Sequence, residues 1–299
     1  MIEHPAPRGI NLAAAFATVL ILFLSVGNAV QRFNLGFGLW FCEIFVFLAV
    51  PWIFWTRSGF SPLKAANAYP LRLRLLGFGL LVGCLNFFAV VMPLQGLAQS
   101  LVPGWMREMY DGSRIFSDRS VTQMAVLIVG VSLAAPFCEE FFFRGTFQNN
   151  LSQGIFSPTV ALIFTAGVFS AFHFDPVGFA ARFELGILFG FLYAKTRSLW
   201  TAVGAHAANN VVSTFLFFFV AHGPGNASEQ GLKINAASAI GSGLLLWFVI
   251  SRVFLRGKFA AVGCIPAIVP TRPTKSWYEA AWPWILGGCL SLGLSLTFR

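Results

Sequence analysis

The chain has 299 residues, 57% of them hydrophobic and only 10% charged, with a formal net charge of +9. A soluble domain carries about a quarter charged residues, and runs of about 20 apolar residues, long enough to cross a bilayer as helix, recur along this chain. The composition therefore excludes an ordinary soluble domain. The basic residues lie in short loops between apolar runs, with no Lys/Arg-rich tract, so the charge reads as a positive-inside signal and excludes nucleic-acid binding.

The first residues, Met-Ile-Glu-His-Pro-Ala-Pro-Arg, turn apolar without a small-residue cleavage pattern, which predicts an uncleaved first span. Apolar runs then place spans near 10–30, 38–55, 75–98, 121–143, 157–174, 180–195, 200–221, 236–254 and 281–297. The expected fold is an all-α polytopic membrane bundle of about 8–9 transmembrane helices. The fourth helix is expected to continue past the membrane, because Phe-Gln-Asn-Asn-Leu after Gly145 is still helix-compatible. Pro158 then fits the first turn of the fifth. The segment 259–270 is too short and proline-rich to span and reads as interfacial or re-entrant. The segment 222–236, with His222, reads as an ordinary loop, and His4 also lies outside the apolar runs. Three regions follow: N-terminal helices over 1–120, a core over 121–222 and C-terminal helices over 223–299.

The loops orient the bundle. Arg57, Lys64, Arg72 and Arg74 share the segment 56–74 with no acid. Lys195 and Arg197 follow the sixth span, and Arg252, Arg256, Lys258, Arg272 and Lys275 follow the eighth. With nine spans and an N-terminus inside, all three basic loops fall on the cytoplasmic side. The outer loop 99–120 is balanced, Arg107, Arg114 and Arg119 against Glu108, Asp111 and Asp118.

The 35 phenylalanines fit lipid-facing and interhelical packing. The five cysteines, Cys42, Cys84, Cys138, Cys264 and Cys289, are scattered without a CxxC pair and predict neither a disulfide framework nor a zinc–thiolate site.

Ionisable groups in hydrocarbon are costly and are usually kept for function. Glu139 and Glu140 close an apolar run four residues before Arg144. His173 and His206 sit inside two later runs. Four-residue spacing puts both members of a pair on one helix face: Glu140 with Arg144, Phe169 with His173, His206 with Asn210. Glu139 lies about 100° round the helix from Glu140, so the expected division is Glu140 held by Arg144 and Glu139 facing a cavity. A carboxylate in apolar surroundings is pushed toward the range useful to a general base. Glu139 could then deprotonate a water, His173 could orient that water, and His206 and Asn210 could hold the oxyanion of an attacked amide. No Gly-x-Ser-x-Gly elbow offers a serine instead. Glu43, deep in the second span, is a further candidate for substrate contact. Glu184 is expected beside Arg182 in a solvated interfacial pair.

Glu-Glu-Phe-Phe-Phe-Arg at 139–144 resembles the EExxxR motif of the CPBP family, the group of CAAX prenyl proteases of the Rce1 type and of bacteriocin-processing or immunity proteins. Phe169-Ser-Ala-Phe-His173 resembles its FxxxH motif and His206-Ala-Ala-Asn-Asn210 its HxxxN motif, in the same order. The segment 185–200 is similar to the family's approach to its third motif. The resemblance covers roughly 121–221 and implies an intramembrane endopeptidase. Glu139 would be the base that activates water, Glu140 and Arg144 its support, and His173, His206 and Asn210 the remainder of the catalytic set. It implies no required cofactor. If zinc is bound, Glu139, His173 and His206 would make up the usual three protein ligands, although HExxH is missing. The expected partners are a membrane-anchored or hydrophobic peptide substrate and the lipid bilayer. Short loops and compact size point to a bacterial inner (cytoplasmic) membrane, where bacteriocin leaders, sorting tags or other membrane peptides are better substrates than prenylated tails.

Three other readings stay open. One is a non-catalytic immunity or scaffold protein of the same fold. Another is a proton-coupled transporter, against which stands the lack of an internal repeat. The third is a haem protein with His173 and His206 as axial ligands.

Overall fold

A computed structural model describes residues 10–111, 120–218 and 236–255. Among them there is helix and no strand. Eight long helices are labelled here in chain order. α1 is Leu12–Phe33, α2 Leu35–Arg57, α3 Leu73–Leu101 and α4 Val121–Gln153. α5 is Pro158–Ala171, α6 Phe179–Thr196, α7 Leu199–Leu216 and α8 Ala236–Leu255. The first four are each long and apolar enough to cross a membrane. The predicted span 281–297, the segment 259–270, His4, His222, Cys264 and Cys289 lie outside the described residues.

Helix boundaries follow local chemistry. Asn34 breaks α1 from α2 with an extended backbone, and its side chain accepts from the Phe37 N–H at 2.9 Å; this is an N-cap. Ser120 and Gln123 form a capping box that starts α4. α4 extends ten residues beyond the predicted end of its span, as the helix-compatible stretch after Gly145 suggested. Pro158 begins α5 at a position where its missing N–H costs nothing.

The chain divides into two compact units. The first holds α1, α2, the single turn Pro62–Ala65 and the second half of α4. Its core is aromatic. Phe16 stacks on Phe147 at 4.8 Å between ring centroids, and Phe47 lies 5.9 Å from both Phe142 and Phe143. The Trp55 indole is fully buried and donates to the Thr146 hydroxyl at 3.0 Å. Gly145 is needed for a close approach: a Cβ there would stand 2.6 Å from that of Ala66. Asn149 seals the same contact by donating to the Ala65 carbonyl at 3.1 Å.

The second unit holds α3, the first half of α4, α5 from Leu162 onward, and α6 to α8. Its tightest contact is between α3 and α7. A Cβ on Gly79 or Gly83 would collide with the carbonyls of Thr201 and Ala205, and one on Gly204 with that of Leu76. Gly79 and Gly83 have the spacing that lets two helix backbones touch in a membrane. Gly186 of α6 lies the same way against Ala166 of α5, where a Cβ would stand 2.8 Å from the Ala166 Cα.

Candidate active site

α4 is α-helical through Ala135–Glu140 and then widens into π-helical turns over Phe141–Gln148. The Asn149 N–H bonds five residues back, to the Arg144 carbonyl. The Thr146 hydroxyl does likewise, donating to the Phe141 carbonyl at 3.0 Å. Such widened turns re-aim the side chains around them and recur at functional positions.

At the start of this stretch Arg144 Nη1 donates to Glu140 Oε1 at 2.7 Å, with both side chains fully buried. The guanidinium also lies 5.9 Å from the Phe143 ring centroid. Glu139, one residue earlier and on another face, keeps partial exposure. Glu140 is therefore the carboxylate tied to Arg144, as its spacing predicted. Glu43 enters the same unit from α2, within a π-helical stretch over Cys42–Leu48. It is 3% exposed and within electrostatic reach of Glu139. Among the described residues, Glu43 Oε2 has no hydrogen-bond partner.

In the second unit α5 ends at Ala171, and His173 follows in a tight turn whose next residue, Phe174, has a left-handed backbone at φ 49°. That conformation costs an aromatic residue about 1–3 kcal/mol, so the surrounding contacts hold it. His173 Nδ1 lies 2.9 Å from the Phe169 carbonyl oxygen. A carbonyl only accepts, so Nδ1 carries the proton and Nε2 is left with its lone pair in the neutral ring.

Phe169 has a second part. Its ring meets His173 edge-on at 5.1 Å and His206 at 5.8 Å, so one phenyl group bridges both imidazoles. His206 is 5% exposed and stacks on Phe189 of α6 at 4.9 Å. Asn210, one turn further along α7, donates from Nδ2 to the Val131 carbonyl at 2.8 Å and accepts from Asn209 Nδ2 at 3.2 Å. Val131 lies in the widened stretch Gly130–Ala134 of α4. The amide thus fastens α7 to the first half of α4, and one Nδ2 hydrogen remains for another acceptor.

The expected Arg182–Glu184 pair does not form. Residues two apart on a helix do not face each other. Arg182 instead donates to Asp175 at 2.6 Å, and Glu184 accepts from Asn86 of α3 at 3.0 Å. Sequence reasoning passed over Asp175 and Asn86. For Asp175 a signal existed, since an Asp before Pro176 at the approach to a helix favours a turn. For Asn86, inside an apolar run, the polar residue itself was the signal.

Within neither unit, among the described residues, do three His, Cys, Asp or Glu gather as a metal site. Cys42, Cys84 and Cys138 are free thiols.

Long apolar helices with ionisable groups buried among them mark an integral membrane protein. Residues 121–212 match the family model of the Rce1-like type II CAAX prenyl endopeptidase, a protease. That stretch runs through all three motifs, from Glu139 to Asn210, and the match is consistent with a CPBP family intramembrane protease. No curated protein and no solved structure matches the chain.

Proposed function

We propose that this protein is a multi-pass endopeptidase of a bacterial inner membrane that uses Glu139 to activate water against a peptide bond of a membrane-anchored or hydrophobic substrate. The observation that carries the reading is the buried 2.7 Å pair of Glu140 and Arg144 inside the stretch that matches the protease family. Arg144 pairs with Glu140, and the neighbouring Glu139 is half-buried.

In the proposed reaction Glu139 takes a proton from water as the water oxygen attacks the amide carbonyl, and later delivers it to the leaving amine. His173, with Nε2 unprotonated, accepts a hydrogen bond from that water. His206 and the remaining Nδ2 hydrogen of Asn210 steady the oxyanion. The scheme has no step that needs a metal. The positively charged loops favour about 8–9 spans with the N-terminus in the cytoplasm.

The test is cleavage of internally quenched hydrophobic peptides, with and without C-terminal lipidation, by protein reconstituted in liposomes. Glu139→Gln and His173→Ala should each abolish turnover while membrane insertion is retained. Full activity in both variants would leave a non-catalytic scaffold as the better account.

A further inference from the structure

The turn between α5 and α6 is held by more bonds than a connection requires, and they converge on one carboxylate. Asp175 Oδ1 accepts from the backbone N–H groups of Val177 and Gly178, at 2.9 and 3.0 Å. Its Oδ2 accepts from Arg182, one turn into α6, at 2.6 Å. The Ser170 hydroxyl, at the end of α5, donates across the turn to the Phe179 carbonyl at 2.8 Å. Gly178 leaves the space in which the ion pair closes: a Cβ there would stand 2.6 Å from Asp175 Oδ2 and collide with the Arg182 guanidinium.

Between these ties lie His173 and the left-handed Phe174. His173 is bonded to α5 from both its backbone, N–H to the Ser170 carbonyl at 3.2 Å, and its ring, Nδ1 to the Phe169 carbonyl. The chain turns sharply at 174, directly after that register, and the closure at 175–182 follows directly on the turn.

We infer that Asp175 and Arg182 are positioning residues for His173: their ion pair closes the α5–α6 turn and so keeps the Nδ1–H of His173 on the Phe169 carbonyl, with Nε2 presented for the reaction. This rests on the protease reading only for its effect on turnover. The effect on the imidazole stands apart from it.

Two readouts separate these parts. Solid-state NMR of histidine-labelled protein in liposomes reports the tautomer of His173, assigned by subtraction with His173→Ala, whether or not the protein cleaves anything. The wild type should show protonated Nδ1 and unprotonated Nε2 at neutral pH. Asp175→Asn keeps an acceptor for the two backbone N–H groups but loses the ion pair, and Asp175→Ala loses both. Asp175→Ala should give a mixture of tautomers and a kcat about tenfold lower with KM unchanged. Asp175→Asn should fall between it and the wild type, and Asp175→Glu should recover most of the rate. Asp175→Ala/Arg182→Ala should be no worse than Asp175→Ala, because both act through one contact. A wild-type His173 signature in Asp175→Ala would overturn the inference, as would equal loss in the Asn, Glu and Ala variants. An altered tautomer with no peptidase activity in the wild type would sustain the positioning role and remove the protease reading.

Discussion

The Nδ1 atom of His173 lies 2.9 Å from the carbonyl oxygen of Phe169, one helical turn behind it. The pair fixes which imidazole nitrogen is available, and the Phe169 ring then packs against both this histidine and His206. The carbonyl belongs to the backbone and survives any substitution at 169; the ring does not. Phe169→Leu should therefore preserve the His173 tautomer but loosen both imidazoles, lowering kcat by roughly tenfold, about 1.4 kcal/mol of transition-state stabilisation. Steady-state kinetics beside the NMR signature of His173 checks this, and an unchanged kcat would count against the bridging role of the ring.

The Glu140–Arg144 pair is fully buried, so removing one partner strands the other charge out of water. Arg144→Met should destabilise the protein by about 3–5 kcal/mol. Adding Glu140→Leu should recover most of that loss, because two apolar groups need no partner. Thermal unfolding in detergent measures both, and a double variant as unstable as the single one would contradict the account.

The α3–α7 contact offers a sharper steric test. Gly83→Val places side-chain atoms where the Ala205 backbone already lies and should prevent stable folding. Gly77→Ala, six residues earlier on the same helix with open space around it, should leave stability within about 0.5 kcal/mol of the wild type. Expression and size-exclusion behaviour in detergent distinguish the two. Equal tolerance at 77 and 83 would mean the helices are not in backbone contact.

Water activation by Glu139 predicts that peptide cleavage withstands metal chelation. Reconstituted protein treated with 1,10-phenanthroline and dialysed should retain its turnover. Loss of activity restored by zinc, and by no other divalent ion, would instead favour a ligand role for Glu139, His173 and His206.

The candidate site was legible wherever it depended on spacing along one helix. Glu140 and Arg144, four apart, pair as expected; Phe169 and His173 also meet, although His173 lies in the turn after α5 and not on the helix face that their spacing predicted. It was not legible where partners come from elsewhere in the chain. Glu184 bonds to Asn86, 98 residues away, and Asn210 to the Val131 carbonyl, 79 residues away. Arg182 pairs backward with Asp175 across a turn. The positions of α1 to α4, the described helices long and apolar enough to cross a membrane, followed from hydrophobic runs, because apolar length decides what can lie in a bilayer.

The amino-acid sequence by itself determined the membrane character and the helical fold, since both depend on composition or on the fixed periodicity of a helix, and its three motifs lie within the stretch 121–212 that matches a protease family model. Only the tertiary structure decided that the Nδ1 atom of His173 is occupied, that Asn210 is half committed to a backbone carbonyl, and that Glu43 lies within electrostatic reach of Glu139. Those outcomes depend on how helices rotate and approach, which small residues such as Gly79, Gly83 and Gly145 permit and widened turns redirect.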